Sequence, residues 1–343
     1  MKAAVYYGRE DIRTVDVPAP RMSDGEAIIE VKSVGVCPTD VKAYYNGSGS
    51  ISAPLTLGHE VSGVVVESLA ENLHVGDRVN VAADCPCLEC SRCRRGLHNL
   101  CSDLKSLGVN VNGSYAEKML VPASYIGRDL VFRLGRSTTF DEGALIEPVA
   151  VSLHCLSLAG RLCRKALVIG DGPNALIHMQ LLKRVMKSAE VTVLGLSEER
   201  LETAKKLGAD EVIDARTYTQ GLQRTSGDDF DVIDVTIGNR DAMKEAIEMA
   251  GYGTAILIFG GSVSDSDIPL SMNQVHYRQL AVTGSTGTNL ENYSRAVDIV
   301  NSGILDLKSM MTSIFLLAQV TSALEYSRNM KGLKCMVHPD ANY

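Results

Sequence analysis

"KALVIGDGPNALIHMQLLKRVMK", residues 165 to 187, decides the fold. Its first five residues lack the alternation of a strand with one wet face, so they read as a strand buried on both sides. The run ends in Gly170-Asp171-Gly172-Pro173-Asn174-Ala175, the spacing G-x-G-x-x-A at the point where a helical pattern begins. In that spacing the first glycine permits a tight turn, the second lets a pyrophosphate approach the backbone, and the third small residue lets helix pack on strand. The phosphates would lie on the helix N-terminus, where unpaired N–H groups favour anions. Gly170, Gly172, Pro173, Asn174 and Ala175 are therefore the expected cofactor-binding residues.

Downstream, "EVTVLG" (190–195), "EVID" (211–214), "FDVIDVTI" (230–237), "TAILIFG" (254–260) and "LAVTGS" (280–285) repeat the buried-strand pattern. Between them "SEERLETAKKLG" and "NRDAMKEAIEMAG" have helical periodicity, with Ser197 or Asn239 at the start and Gly208 or Gly251 at the end. Alternating strands and helices predict an α/β architecture, a doubly wound parallel sheet of Rossmann type over residues 151–287. A dinucleotide site of this kind usually has a carboxylate at the end of its second strand to bind the ribose hydroxyls. Here that position is Gly195, followed by Ser197 and Arg200. The glycine leaves room for a phosphate, the serine can donate to it and the arginine can pair with it, so the reading favours NADP(H) over NAD(H). The alternative is that Ser197 is a helix cap and Glu198 or Glu199 reaches the ribose.

Residues 1–150 differ, being rich in Val, Gly and Pro, with short alternating runs such as "EAIIEVKSVGV" and "HEVSGVVVES". They predict an irregular β-rich domain. Residues 141–160 read as a linking helix, and the tail "NYSRAVDIVNSG" to "SALEYSRNMKG" as helix, loop, helix. The 343 residues are 45% hydrophobic and 22% charged with a net charge of -7, an ordinary globular balance. There is no basic block to suggest nucleic acid or an anionic membrane, and no apolar run long enough to span a bilayer, so a small-molecule partner and a cytoplasmic location are expected.

In that compartment thiols stay reduced, so "CPCLECSRCRRGLHNLC" (85–101) reads as a metal clip rather than a disulfide knot. Cys87, Cys90, Cys93 and Cys101 have the spacing of a closed tetrahedral zinc site, with Cys85 left outside. Such a site fixes a lobe with little core of its own. Arg92, Arg94 and Arg95 read as its solvated rim. Elsewhere "GVCPTD" supplies Cys37, Thr39 and Asp40, and "LGHE" supplies His59 and Glu60. Spacing alone makes no site of these residues.

The order "GVCPTD", "GHE", four-cysteine lobe, "EPVAV", "GDGPNA" resembles the zinc-dependent medium-chain dehydrogenase/reductase family over essentially the whole chain. Glu147 in "EPVAV" makes the likeness closest to the polyol branch of sorbitol, ketose and galactitol-phosphate dehydrogenases. The resemblance implies a chaperonin-10-like β-rich catalytic domain (1–150 and 288–343), completed by the C-terminal segment, with the nicotinamide in the cleft between domains. It implies two Zn2+ per chain. Cys37, His59, Glu60 and Glu147 would surround the catalytic ion, and Cys87, Cys90, Cys93 and Cys101 the structural one. Thr39 would relay the alcohol proton and Asp40 would orient His59. Pro38 and Asn174 depart from the family's usual residues, and Lys42 stands where many members have a histidine that passes the proton outward. The implied activity is interconversion of a secondary alcohol, a polyol, sugar alcohol or cyclitol, and its ketone, in a homodimer or homotetramer. Two alternatives are an L-threonine or other amino-alcohol dehydrogenase and a non-catalytic NAD(P)-binding sensor.

Overall fold

The six buried runs from residue 165 onward all form strands: β1 Lys165–Ile169, β2 Glu190–Gly195, β3 Glu211–Asp214, β4 Val232–Val235, β5 Ala255–Ile258 and β6 Ala281–Gly284. They make one sheet in the order β3-β2-β1-β4-β5-β6, with every neighbouring pair parallel. This is the doubly wound arrangement. The order reverses between β1 and β4, and at such a switch point the carboxyl ends of the strands leave a crevice for ligand. Helices Pro173–Gln180, Glu198–Leu207 and Arg240–Met249 form the crossovers. The first was expected to run unbroken to residue 187; instead Leu181–Val185 forms a wider π turn. Leu167, Ile233 and Ile256 lie in the core of this sheet, each fully buried.

The computed structural model describes residues 1–160, 162–217, 230–261 and 267–340. Two compact units result, one of Met1–Pro148, Asn289–Gly303 and the segment from Leu307 on, the other of Val149–Thr288 with Ile304–Asp306. In the first unit, the main sheet runs Val131–Arg133, Arg78–Val81, Glu60–Ser68, Ala27–Gly35, Lys334–His338, Met311–Leu316, and Lys118–Val121 also pairs with Ala27–Gly35. The C-terminal strand is antiparallel to Ala27–Gly35, with Met336 opposite Gly35. The C-terminal segment therefore closes a sheet begun three hundred residues earlier in the chain.

Two element readings need correction. The tail contains two strands, Met311–Leu316 where a loop was expected, and Lys334–His338 beyond the last expected helix. The second hides in sequence because Lys334 and His338 bracket a short apolar run. The linking helix is two helices, Phe140–Ala144 and Ile146–Ser157. Pro148 explains the break: its ring would strike the carbonyl of Ala144 and it has no N–H to donate, whereas in the first turn of a new helix neither matters. Thr139 starts the short helix with a capping box, accepting from Glu142 N at 3.2 Å while Glu142 Oε2 accepts from Thr139 N at 2.9 Å. Among the described residues no helix is long and apolar enough to cross a membrane.

Candidate metal centres and cofactor loop

Sheet register assembles the first cluster. Gly35 ends one strand and pairs with Glu60, which begins the next, so Cys37 and His59, just outside the two strand ends, become neighbours. Cys37 Sγ, a ring nitrogen of His59 and a Glu60 carboxylate oxygen lie within 4.8 Å of one another. Gly35 matters here for space: a Cβ on it would overlap the Glu60 carboxylate. Pro38 lies at the first position of helix Pro38–Asn46 and Cys37 at its N-cap. The sulfur accepts from Thr39 N at 3.5 Å and the Asp40 carboxylate accepts from Cys37 N at 3.3 Å, a capping box that fixes both side chains. Pro38 thus serves as a helix starter. The same helix takes in Tyr44, Tyr45 and Asn46.

Asp40 is buried and its Oδ1 stands 3.6 Å from His59 Nδ1. Tyr115, fully buried, donates its hydroxyl to Asp40 Oδ2 at 3.0 Å. Burial opposes charge on Asp40, but His59, the Cys37 N–H and the Tyr115 hydroxyl together hold its carboxyl below the usual range. His59 moves the other way: against the cost of burial, the neighbouring Cys37 and Asp40 raise its pKa well above the ordinary value. Lys334, on the C-terminal strand, places Nζ 2.6 Å from both oxygens of Glu60, and both side chains are at least 96% buried. The hydrogen bond goes to Oε1, and Oε2 is a buried oxygen without one. Glu147, in the first turn of Ile146–Ser157, is pushed up to about 7 by burial, with Glu60 and Asp84 adding to the rise and His59 opposing it. Thr39 and Lys42 are exposed on the Pro38–Asn46 helix.

The donor set fits zinc: one soft thiolate, one imidazole and one carboxylate oxygen, converging from the ends of two paired strands. The four-cysteine lobe fits more tightly. The sulfurs of Cys87, Cys90, Cys93 and Cys101 all lie within 4.8 Å, Cys87 to Cys93 at 3.9 Å and Cys101 to Cys87 at 3.4 Å. A tetrahedron of Zn–S bonds needs sulfurs roughly 3.8 Å apart. Backbone N–H groups of Glu89 and Cys90 point at Cys87 Sγ, of Cys93 at Cys90 Sγ, and of Cys87 and Asp103 at Cys101 Sγ, the donors that stabilise thiolates. N–H groups of Ser102 and Cys93 hold the Cys90 thiol down to about 5. All nine cysteines are free thiols. Cys85 lies outside the cluster and accepts from Arg128 Nη1 at 3.4 Å. Arg92, Arg94 and Arg95 are exposed, and Arg92 holds Leu100 O at 2.9 Å.

In the second unit Gly170 has φ of 125°, and a Cβ on it would overlap Thr236 Oγ1, whose own hydrogen bond to Ile169 O ties β1 to the chain beyond β4. Gly172 is the N-cap of helix Pro173–Gln180 with no side-chain cap, and a Cβ there would meet only open space. Uncapped N–H groups beneath an open approach fit a pyrophosphate, and Asn174 and Ala175 belong to that first turn. Arg200 does not stand where the expected phosphate contact requires. It is 8% exposed, with Nη1 3.6 Å from Asp171 Oδ1. The reason is electrostatic, since a buried guanidinium turns to the nearest carboxylate.

A third cluster was missed. His178 has Nδ1 2.5 Å from Asp234 Oδ2, with Cys155 nearby and Phe259 edge-on at 4.6 Å. His178, Asp234 and Cys155 are buried, and the His178–Asp234 pair joins the Pro173–Gln180 helix to β4. No spacing in the sequence signals it. Lys334 did leave a signal, a lone cation in the apolar run "LKCMV"; Tyr115 left none.

Two family models match the chain, Alcohol dehydrogenase GroES-like domain over residues 23–128 and Zinc-binding dehydrogenase over residues 175–302. A sorbitol dehydrogenase of Bacillus subtilis is 30% identical across 99% of this chain and 98% of its own length. The chain belongs to the zinc-dependent medium-chain dehydrogenases. Among solved structures, a 2R,3R-butanediol dehydrogenase from Bacillus subtilis superposes with a TM-score of 0.88 at 26% identity, covering 99% of both chains. A zinc-binding dehydrogenase from Sinorhizobium meliloti bound to NADP gives 0.90 at 24% identity, covering 98% of this chain and 99% of that one. As a member of this family the chain is an oxidoreductase that uses zinc and a nicotinamide dinucleotide.

Proposed function

We propose that this medium-chain dehydrogenase interconverts a secondary alcohol of the polyol, sugar-alcohol or cyclitol class and its ketone. The observation that carries the reading is the convergence of Cys37, His59 and Glu60 within 4.8 Å. Sorbitol and butanediol dehydrogenases among the relatives support the substrate class. In this reading Cys37 Sγ, His59 Nε2 and carboxylate from Glu60 or Glu147 hold one zinc, and Cys87, Cys90, Cys93 and Cys101 hold a second. When bound, the zinc would supply Lewis acidity toward an alcohol oxygen and the dinucleotide a hydride acceptor or donor.

The chain's own residues do the rest. Asp40 sits against His59 Nδ1 and leaves Nε2 for the metal, fixing the ring. Tyr115 in turn fixes Asp40. Lys334 neutralises Glu60, so the cluster is not overloaded with negative charge when Cys37 is a thiolate. Thr39 accepts the alcohol proton at Oγ1 as its own hydroxyl proton leaves to solvent, and Lys42, three residues along the same exposed helix face, offers donors only and so orders that solvent without carrying the proton. Glu147, titrating near 7, can exchange a proton in the working range. In the cofactor loop, Gly172 and the first turn after it receive the pyrophosphate. The case for NADP(H) rested on Gly195, Ser197 and Arg200 together, and of these Arg200 is buried against Asp171. Assembly as a homodimer or homotetramer belongs to the same proposal and is read by light scattering.

Cys37→Ser and Glu147→Ala test the mechanism. Each should lose at least about a hundredfold in turnover on its best polyol, the scale of a lost catalytic group, while folding and dinucleotide binding persist. Unchanged turnover in both would refute it.

A further inference from the structure

The end of β2 is where a dinucleotide site reads the adenosine ribose. Gly195 occupies it, and the space above is filled. A Cβ on Gly195 would lie 2.6 Å from Asp171 Cβ and 2.7 Å from Asp171 Oδ2. The glycine therefore admits the side chain of Asp171, which comes from inside the glycine-rich turn itself. Asp171 Oδ2 accepts from Leu196 N and from Ser197 N, each at 2.7 Å. Two backbone donors that an incoming phosphate could have used are thus already committed. Oδ1 stands 3.6 Å from Arg200 Nη1, an ion-pair distance rather than a hydrogen bond, and the Asp171 side chain keeps 15% of its surface exposed. It still has lone pairs to offer.

The surroundings reinforce this. An open depression beyond β2 is lined by Leu196, Ser197, Glu198, Glu199, Glu202 and Arg216. Arg216 is held by both oxygens of Asp214, through Nε at 3.0 Å and Nη2 at 2.6 Å. With Asp171 and Arg200, the region carries five carboxylates and two guanidiniums, each guanidinium facing a carboxylate. A dianionic 2'-phosphate would meet net negative charge there, whereas ribose hydroxyls would meet an acceptor.

We propose that Asp171 is the cofactor-selecting residue of this dehydrogenase: its carboxylate replaces the missing one at Gly195, receives the ribose hydroxyls and makes the chain selective for NAD(H) over NADP(H). This rests on the nicotinamide-dinucleotide reading of the loop and reverses the preference that the sequence alone suggested.

The test is direct binding, by fluorescence titration of NADH and NADPH to the zinc-loaded wild type, Asp171→Asn and Asp171→Ala, with melting temperatures as the check on folding. Asp171→Asn keeps an oxygen for Leu196 N–H and Ser197 N–H and removes only the charge. Wild type should bind NADH on the order of tenfold or more tighter than NADPH, and both variants should compress that ratio on the order of tenfold, with NADPH affinity rising as Arg200 is released. A wild type that prefers NADPH, or a ratio unmoved in Asp171→Asn, overturns the proposal while leaving the dinucleotide site intact. Failure of the folded wild type to bind either dinucleotide overturns the reading of the loop and this proposal with it.

Discussion

Lys334 is a cation inside a sheet, with 4% of its side chain exposed and one carboxylate, Glu60, for company. A buried pair adds little net stability, yet removing one partner strands the other in a medium that cannot solvate it. Lys334→Met should therefore cost about 3–5 kcal/mol in denaturant unfolding of the zinc-free protein, and adding Glu60→Gln should restore much of it. No recovery in the double variant would mean Lys334 acts by packing alone. Glu147 makes a prediction of opposite sign. Burial raises its pKa from 4.5 to about 7. Between those values the folded chain keeps a proton the unfolded chain has released, so stability of the metal-stripped protein falls as pH rises through that window. Zinc must displace the same proton, so the part of the rise in zinc affinity with pH that Glu147 contributes should end near 7. Competition with a chelator across this range reads it, and Glu147→Gln should lose one proton's worth of slope. An unaltered slope would contradict the assignment.

At the scale of elements, the four-cysteine lobe between Asp84 and Ser106 has only two-residue strands and single 3-10 turns to hold it. Its order must come from the metal clip. Chelating the protein, or making Cys93→Ser, should open the exposed Arg92, Arg94 and Arg95 to trypsin while the parallel sheet stays intact. Equal resistance before and after zinc removal would show the lobe folds unaided. This element was legible in sequence because its ligands are local: spacing alone brings four sulfurs together. The parallel strands were legible too, since burial on both faces leaves uninterrupted apolar runs such as "KALVI" and "AILI". The linking helix splits ahead of Pro148, whose ring and missing N–H forbid one unbroken run. The strand Lys334–His338 is hidden in sequence because a lysine and a histidine bracket its short apolar run.

Across the whole molecule, the catalytic cluster was legible only through family resemblance, because no local rule predicts that Gly35 pairs with Glu60 or that Met336 pairs with Gly35. Three strands distant in sequence end together, and their ends carry Cys37, His59, Glu60 and Lys334. The cofactor loop was legible as a motif, and its selectivity was not, since Asp171 acts across a gap that only the fold closes. The central claim is that Cys37, His59 and their carboxylates form a zinc site distinct from the cysteine lobe. The most direct measurement is zinc per chain, by elemental analysis, in the wild type and in folded Cys37→Ser. The account predicts two ions in the wild type and one in the variant, with dehydrogenase turnover lost alongside the missing ion. One ion in both proteins, or two in both with turnover unchanged, would contradict it.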